Sequence, residues 1–214
     1  MSKDLVFYTN PMSRGRIVRW MLEEVATPYR TEILDYATTL KAPAYLAINP
    51  MGKLPAITHG GAVVTEAAAV CAYLADAFPA AGLAPPQGDK ARAPYLRWLF
   101  FAAGPVEAVV TAKMLGVDVK PDQKRMVGWG DATDTMNALE SAVAGREFIA
   151  GDKFSAADVY VASQLGWGMQ FGSIDKRPAF EAYVARHQGR PAAVRAREID
   201  DKLLAEMQPA QPAG

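Results

Sequence analysis

Apolar residues recur along this chain at two different spacings, and the change from one to the other divides it. Leu5 to Tyr8 is an apolar run of strand length, and Val18, Met21, Leu22 and Val25 after it recur at the one-face spacing of a helix. Tyr29 to Leu34 reads as a second strand beside Pro28, and Leu40 to Ile48 as irregular to helical chain interrupted by Pro43. The stretch Asn49-Pro50-Met51-Gly52-Lys53-Leu54-Pro55 is dense in turn residues and leads into a strand from Ala56 to His59. Gly60-Gly61 then makes a two-residue hairpin, whose turn needs a positive φ that glycine adopts freely, and Ala62 to Thr65 is the return strand. Glu66 opens a helix to about Phe78 with Val70, Tyr73 and Leu74 on one face. The predicted order is β-α-β-α-β-β-α.

Beyond this point strand signals stop. Pro79 to Lys90 holds Ala-Ala-Gly, Pro85-Pro86 and Gln-Gly-Asp, which is linker chemistry and marks a domain boundary. Helical patterns follow over about Ala91 to Leu115, Pro121 to Ala144, Ser155 to Phe171, Pro178 to His187 and Pro191 to Met207. Met126, Trp129, Thr133, Met136, Leu139 and Val143 keep the three- or four-residue spacing of a bundle helix. Phe154-Ser155-Ala156-Ala157-Asp158-Val159 carries a hydroxyl at an N-cap, a carboxylate three residues on and apolar staple residues around them, which is a folding device. The expected division is residues 1–79, a linker over 80–90, an all-helical domain over 91–207 and a mobile tail over 208–214.

Composition narrows the chemistry. At 214 residues, half of them hydrophobic, the chain has length enough to bury a real core. Lys plus Arg equal Asp plus Glu at 23 each, so no global field draws in nucleic acid or an anionic membrane, and small ligands are favoured. No apolar stretch reads as a secretory segment or approaches a membrane span, so the expected setting is soluble and cytoplasmic. One cysteine, Cys71, gives no internal disulfide, and His59 and His187 beside it give no metal-ligand cluster. Cys71 falls among Ala, Val and Tyr in the Glu66 helix, where it is expected to be buried and inert. The run Gly166-Trp167-Gly168 misses the dinucleotide fingerprint, follows no strand and carries no functional weight.

The candidate chemistry lies in Tyr8-Thr9-Asn10-Pro11-Met12-Ser13-Arg14-Gly15-Arg16, which joins the first strand to the first helix. A helix N-terminus presents unpaired N–H groups and partial positive charge, so it stabilises an anion. Here an amide, a hydroxyl and two guanidinium groups add to it, which suits a thiolate or a carboxylate. The alternative is plain capping, with Asn10 as N-cap, Pro11 in the first helical position and both arginines solvated.

Taken together, the Ser13-Arg14 helix start, Asn49 to Pro55, Thr65-Glu66, Tyr73-Leu74-Ala75-Asp76 and Phe154 to Asp158 resemble the cytosolic glutathione transferase family, in a bacterial-type form. The order and spacing of these pieces span nearly the whole chain. The resemblance implies a thioredoxin-like domain followed by an all-helical domain, glutathione as substrate, no metal, and a homodimer active in detoxification. It implies that Leu54 pairs through its backbone with the cysteinyl part of glutathione, with Pro55 cis, although only about 5–6% of X-Pro bonds in folded proteins are cis. It places Lys53 and Lys41 at the glycyl carboxylate, where Leu40 stands in place of a polar contact of some relatives. Glu66 falls at the γ-glutamyl ammonium, and Ala67 where many relatives carry a serine. Ala67 keeps the backbone N–H and loses a hydroxyl, a deficit of about 0.5–1.5 kcal/mol in binding. The thiol position falls on Asn10, with Ser13 one helical step further and Arg14 adding charge. A small hydrophobic electrophile is then expected between the domains, near Trp98, Phe101, Val109, Met114 and Trp167.

The leading expectation is conjugation of the glutathione thiolate to small apolar electrophiles. One alternative is a glutathione-dependent disulfide or peroxide reductase, which with no cysteine near Asn10 has to act through bound glutathione itself. Another is a non-catalytic binding or scaffold protein on the same fold, which Ala67 and Leu40 leave open.

Overall fold

The computed structural model describes residues 4–207, so the expected tail over 208–214 lies outside the described residues. Two compact units emerge, one running up to Ala81 and resuming at Arg190, the other Gly82–Gly189.

In the first unit the apolar strand β1 (Val6–Thr9) lies inside a four-stranded sheet of order β2-β1-β3-β4. It pairs in parallel with β2 (Arg30–Ile33), through Thr9 opposite Ile33, and antiparallel with β3 (Ala56–His59), through Tyr8 opposite Ala56. The parallel pairing needs a crossover, which α1 (Gly15–Val25) supplies. Gly60 and Gly61, at φ 56° and 85°, turn β3 into β4 (Ala62–Thr65), and α3 (Ala67–Ala77) follows. With the short α2 (Pro43–Leu46), this is the thioredoxin-like βαβαββα order expected from the hydrophobic pattern. Leu5, Phe7, Val18, Met21, Leu22, Ile57, Val70 and Leu74 form its buried core. Cys71 is buried with them, and burial pushes its thiol far above the ordinary range.

The helix α9 (Pro191–Met207), which helical content alone groups with residues 91–207, packs against α1 and clusters with the sheet unit. Charge complementarity accounts for this. Arg190 forks onto both oxygens of Glu24 at 2.7 and 2.9 Å, Arg195 meets Glu23 at 3.3 Å, and Arg16 meets Asp201 at 2.7 Å. Between these, Arg19 and Asp200 form an ion pair at 3.1 Å with 2% and 1% of their side chains exposed. Arg19 also stacks over the Phe7 and Tyr29 rings and donates to Tyr29 Oη at 3.1 Å and Thr31 Oγ1 at 2.8 Å.

The second unit is helical throughout its regular elements: α4 (Arg92–Phe101), α5 (Glu107–Leu115), α6 (Ala132–Val143), α7 (Ala156–Gln170) and α8 (Pro178–Gln188). A π turn, Ala102–Val106, joins α4 to α5 without a break, and Pro105, which lacks the donor of a regular helix, sits in that widened turn. Arg92–Leu115 is therefore a continuous 24-residue helix, long and apolar enough by length and composition to cross a membrane. The helix itself is the one expected over about Ala91 to Leu115, running through Gly104-Pro105; what it corrects is the expectation that no apolar stretch approaches the length of a membrane span. Its Tyr95, Trp98, Leu99, Ala102, Val106 and Val109 are buried within the helical unit, as in the core helix of a globular domain.

A second correction concerns Pro121 to Ala144, where the helix begins at Ala132. Gly128 and Gly130, the latter at φ 65°, break the stripe, and the Asp131 carboxylate caps the new start by accepting from Asp134 N at 2.7 Å. Met126 is accordingly 78% exposed rather than packed. Within α7 every residue from Ala156 to Leu165 is buried, as in a helix that forms the centre of its unit. Asp158, 0% exposed, accepts from Ser155 N, Ser155 Oγ, Ile149 N and Tyr183 Oη at 2.7–2.9 Å. Further along α7, Gly168 lies against the Ile174 side chain, which gives it a packing role.

Two stability predictions follow from these buried charges. Asp158→Ala strands several buried donors at once and lowers the urea-unfolding free energy by about 3–4 kcal/mol. Asp200→Ala leaves the Arg19 charge buried without its partner and costs about 3–5 kcal/mol, whereas Arg19→Met combined with Asp200→Leu regains most of that loss.

Candidate active site

The register of the sheet decides which loops meet. Because Thr9 faces Ile33, Tyr8 faces Ala56, and Ala56 faces Thr65, the C-terminal ends of β1, β2 and β4 and the N-terminal end of β3 share one edge. Residues 10–14, 34–41, 49–55 and 66–67 leave or enter the sheet there. In open α/β sheets this is the edge at which ligands bind. Asn10, Ser13, Arg14, Lys41, Lys53, Leu54, Pro55, Glu66 and Ala67 all belong to these segments, so the topology gathers residues that lie up to 57 positions apart in the chain.

The loop after β1 is wound on itself. Asn10 O accepts from Ser13 N at 2.9 Å and from Ser13 Oγ at 2.7 Å. The Asn10 amide donates to Leu34 O at 2.8 Å, and its Oδ1 accepts from Met12 N at 2.9 Å. Ser13 Oγ in turn accepts from Gly15 N at 2.9 Å. The helix α1 therefore starts at Gly15 and not at Pro11, and Asn10 caps the turn that precedes it. Gly15 allows this, because a Cβ there would overlap the Thr9 side chain. Arg16 closes the turn from the other side, its Nε donating to Pro11 O at 2.6 Å. Arg14 is exposed at the helix start, while Asn10 and Ser13 are buried.

The loop before β3 is held by its carbonyls. Tyr45 Oη and Asn49 Nδ2 both donate to Lys53 O, at 2.6 and 2.9 Å, and Asn49 Oδ1 accepts from Met51 N at 3.1 Å. Burial raises the Tyr45 phenol to about 12, so it remains a donor. The Leu54–Pro55 bond is cis, as the resemblance implies. Lys41 Nζ donates to Met51 O at 2.8 Å and lies across Gly52, whose φ of 56° and lack of a Cβ leave room for it. Lys53 is exposed.

At the start of α3, Glu66 occupies the N-cap position at φ 67° and ψ 118°, a conformation that costs a non-glycine residue of order 1–3 kcal/mol. Its side chain makes no capping bond and is exposed, and Ala67 behind it is buried. The first N–H groups of α3 are thus presented beside an exposed carboxylate.

Sequence reasoning overlooked three participants. Tyr36, in the loop after β2, hydrogen-bonds Ser13 through its hydroxyl and feels the Arg14 charge; burial holds its phenol above the ordinary value. An aromatic residue in an otherwise polar loop is the signal that marks it. Tyr45 clamps the Lys53 carbonyl, and Asp201 holds the Arg16 guanidinium that donates to the Pro11 carbonyl; no sequence spacing announces either.

Of the expected electrophile contacts, Trp98 and Val109 are 7% and 4% exposed and belong to the helical core, whereas Phe101 and Trp167 are half-buried and Met114 is exposed. Trp98 packs edge-on to Phe101 at 5.2 Å.

Comparison with known proteins bears on both parts of the chain. Residues 12–77 match the family model for the N-terminal domain of glutathione S-transferase, and residues 130–191 match that for its C-terminal domain. A glutathione S-transferase of Xanthomonas campestris pv. campestris is 26% identical over 186 residues, 84% of this chain and 90% of that protein. A solved sphingomonad glutathione S-transferase complexed with glutathione is 30% identical with a TM-score of 0.75, covering 92% of this chain and 98% of its own. A beta class enzyme of Sphingomonas chungbukensis is 27% identical with a TM-score of 0.74, over 91% of this chain and 98% of its own. With both halves matched by their own family models, and a relative of 30% identity spanned almost end to end, the chain belongs to the glutathione S-transferase family.

Proposed function

We propose that this glutathione transferase conjugates the glutathione thiolate to small apolar electrophiles. The observation that carries the reading is the convergence of the Asn10–Arg14 turn, the Lys53-Leu54-Pro55 loop and the Glu66-Ala67 helix start on one edge of the sheet. Each of the three suits one part of the tripeptide. The Leu54 backbone pairs with the cysteinyl residue, Lys53 and Lys41 meet the glycyl carboxylate, and Glu66 meets the γ-glutamyl ammonium. The γ-glutamyl carboxylate is held at the N-terminus of α3 by the Ala67 N–H. Glutathione bound to the sphingomonad relative supports this assignment.

The sulfur then lies at the N-terminus of α1, where hydrogen-bond donors and the Arg14 charge favour the thiolate over the thiol, whose ordinary pKa is near 8.5. A lone pair on sulfur forms the new C–S bond, and the leaving group, such as chloride on an aryl halide, departs with its bonding pair. Phe101, Met114 and Trp167 offer apolar surface on the helical unit for the electrophile. Conjugation is favoured over thiol–disulfide exchange with the protein because Cys71 is fully buried in α3. Action as a homodimer, in cytoplasmic detoxification, belongs to the same proposal; Leu96 and Phe100, one turn apart on α4 and 38% and 74% exposed, support a subunit contact.

The purified protein is expected to be retained on immobilised glutathione and eluted by the free tripeptide, and to turn over an aryl halide faster than a small disulfide. Failure of retention favours a scaffold role, and the reverse preference favours a reductase acting through bound glutathione. Glu66→Ala and Lys53→Ala each raise KM for glutathione about tenfold. Ala67→Ser supplies the missing hydroxyl and tightens glutathione binding about 2- to 10-fold by calorimetry.

A further inference from the structure

Arg16 stands one turn before Arg19 on α1, so the two share a face of that helix, and α9 meets them with the adjacent carboxylates of Asp201 and Asp200. The two pairs differ in setting. Arg19 and Asp200 are buried and fix α9 against α1, whereas Arg16 and Asp201 keep 21% and 56% of their side chains exposed. An exposed ion pair contributes little to stability, because solvent and salt screen it and two long side chains have to be ordered. The grip of α9 on α1 therefore belongs to the first pair.

The second pair is distinguished by what else Arg16 holds. Its Nη1 donates to Asp201 Oδ1 at 2.7 Å and its Nε to Pro11 O at 2.6 Å, so one planar guanidinium reaches from α9 to the turn that precedes α1. Other residues of that turn are tied inward. Ser13 N and Oγ donate to Asn10 O, Met12 N donates to Asn10 Oδ1, and Asn10 Nδ2 donates to Leu34 O. Proline has no N–H, so its carbonyl is the main-chain group through which residue 11 can be hydrogen-bonded, and Arg16 holds it. Asp201 in turn decides where the guanidinium sits. A free arginine side chain samples many rotamers, and a carboxylate on a helix anchored at Arg190, Arg195 and Asp200 selects one of them.

We propose that Arg16 is a positioning residue of the thiol site and that Asp201 aims it, the pair fixing the Pro11 carbonyl and through it the turn that presents the α1 N-terminus to the sulfur. The proposal rests on the glutathione reading of this edge of the sheet. Neither side chain is assigned a contact with the tripeptide. Misplacing a reacting group by about 1 Å costs on the order of 10²-fold in rate, so a turn that shifts by a fraction of that lowers turnover while the fold is kept. Position and charge then predict opposite signs. Removing Asp201 loosens the turn, which disfavours the thiolate, but it also leaves the Arg16 charge uncompensated, which on its own favours the thiolate.

The test compares wild type with Asp201→Ala, Asp201→Glu and Arg195→Ala. It reads kcat and KM for glutathione with an aryl halide, the pKa of bound glutathione from thiolate ultraviolet absorbance, and circular dichroism melting. Asp201→Ala is expected to lower kcat about 3- to 10-fold and to raise the bound-thiol pKa, with KM changed less than about twofold and Tm little changed. Asp201→Glu, which keeps the carboxylate, recovers most of the loss. Arg195→Ala cuts another exposed α1–α9 ion pair, at Glu23 further along α1, and leaves kcat unchanged. An unchanged kcat in Asp201→Ala overturns the proposal, and so does a lowered thiol pKa, which gives Arg16 a role through charge alone. An equal loss of kcat in Arg195→Ala overturns it as well, in favour of general bracing by α9. A wild type that neither binds nor turns over glutathione removes the underlying reading and the proposal with it, so the two failures are distinguishable.

Discussion

The Asn10 side chain and carbonyl hold the candidate site in place. One buried residue closes the turn on Ser13, caps Met12 and ties the β1 exit to Leu34 at the β2 exit. Buried polar groups have to be paired, so an amide with both a donor and an acceptor serves where a purely acceptor side chain would leave Leu34 O without its partner. The close seating of α1 on β1 depends on the same turn and on Gly15, which alone leaves space for Thr9. What reads in one dimension as a helix cap is in three dimensions the junction of two strands and a helix.

Buried charge plays a comparable part in each of the two units, by different means. Asp158 is satisfied on both oxygens by backbone, hydroxyl and phenol donors, so the carboxylate organises the start of α7 and its attachment to Ile149 and Tyr183. Arg19 and Asp200 instead neutralise one another, with Tyr29 and Thr31 taking further guanidinium donors. Taking such a pair out of water is costly, and its value lies in fixing one geometry. Here that geometry places α9 against α1, and through Arg16 it reaches the carbonyl of Pro11 in the thiol turn.

Much of the fold was legible because local rules and tertiary packing agree. The strand from Ala56 to His59, the Gly60-Gly61 turn and the return strand from Ala62 to Thr65 follow from alternation and from a backbone angle that glycine meets. The Ser155–Asp158 cap follows from spacing. Where local rules compete, the outcome was not legible. The stripe that begins at Met126 has helical spacing, yet Gly130 and the Asp131 cap start the helix at Ala132. The helix expected over about Ala91 to Leu115 does form, but the π turn that carries Gly104-Pro105 within it is announced by no local spacing. Trp98 and Val109 have the composition of a ligand pocket and the burial of a core, since an apolar stripe does not reveal which of its faces is covered.

The sequence by itself determined the order of elements, the turn before Pro55 and the helix start at Glu66, because each depends on residues close together in the chain, and the family, because such local pieces keep their order and spacing along it. Tertiary structure decided which side chains remain available for chemistry. Asn10 and Ser13 carry suitable groups, but the register of β1 with β2 directs those groups to Leu34 and to the turn itself, and brings Tyr36 beside Ser13. A hydrogen-bond donor can be counted from sequence. Whether its proton is already committed depends on neighbours that only the folded chain supplies.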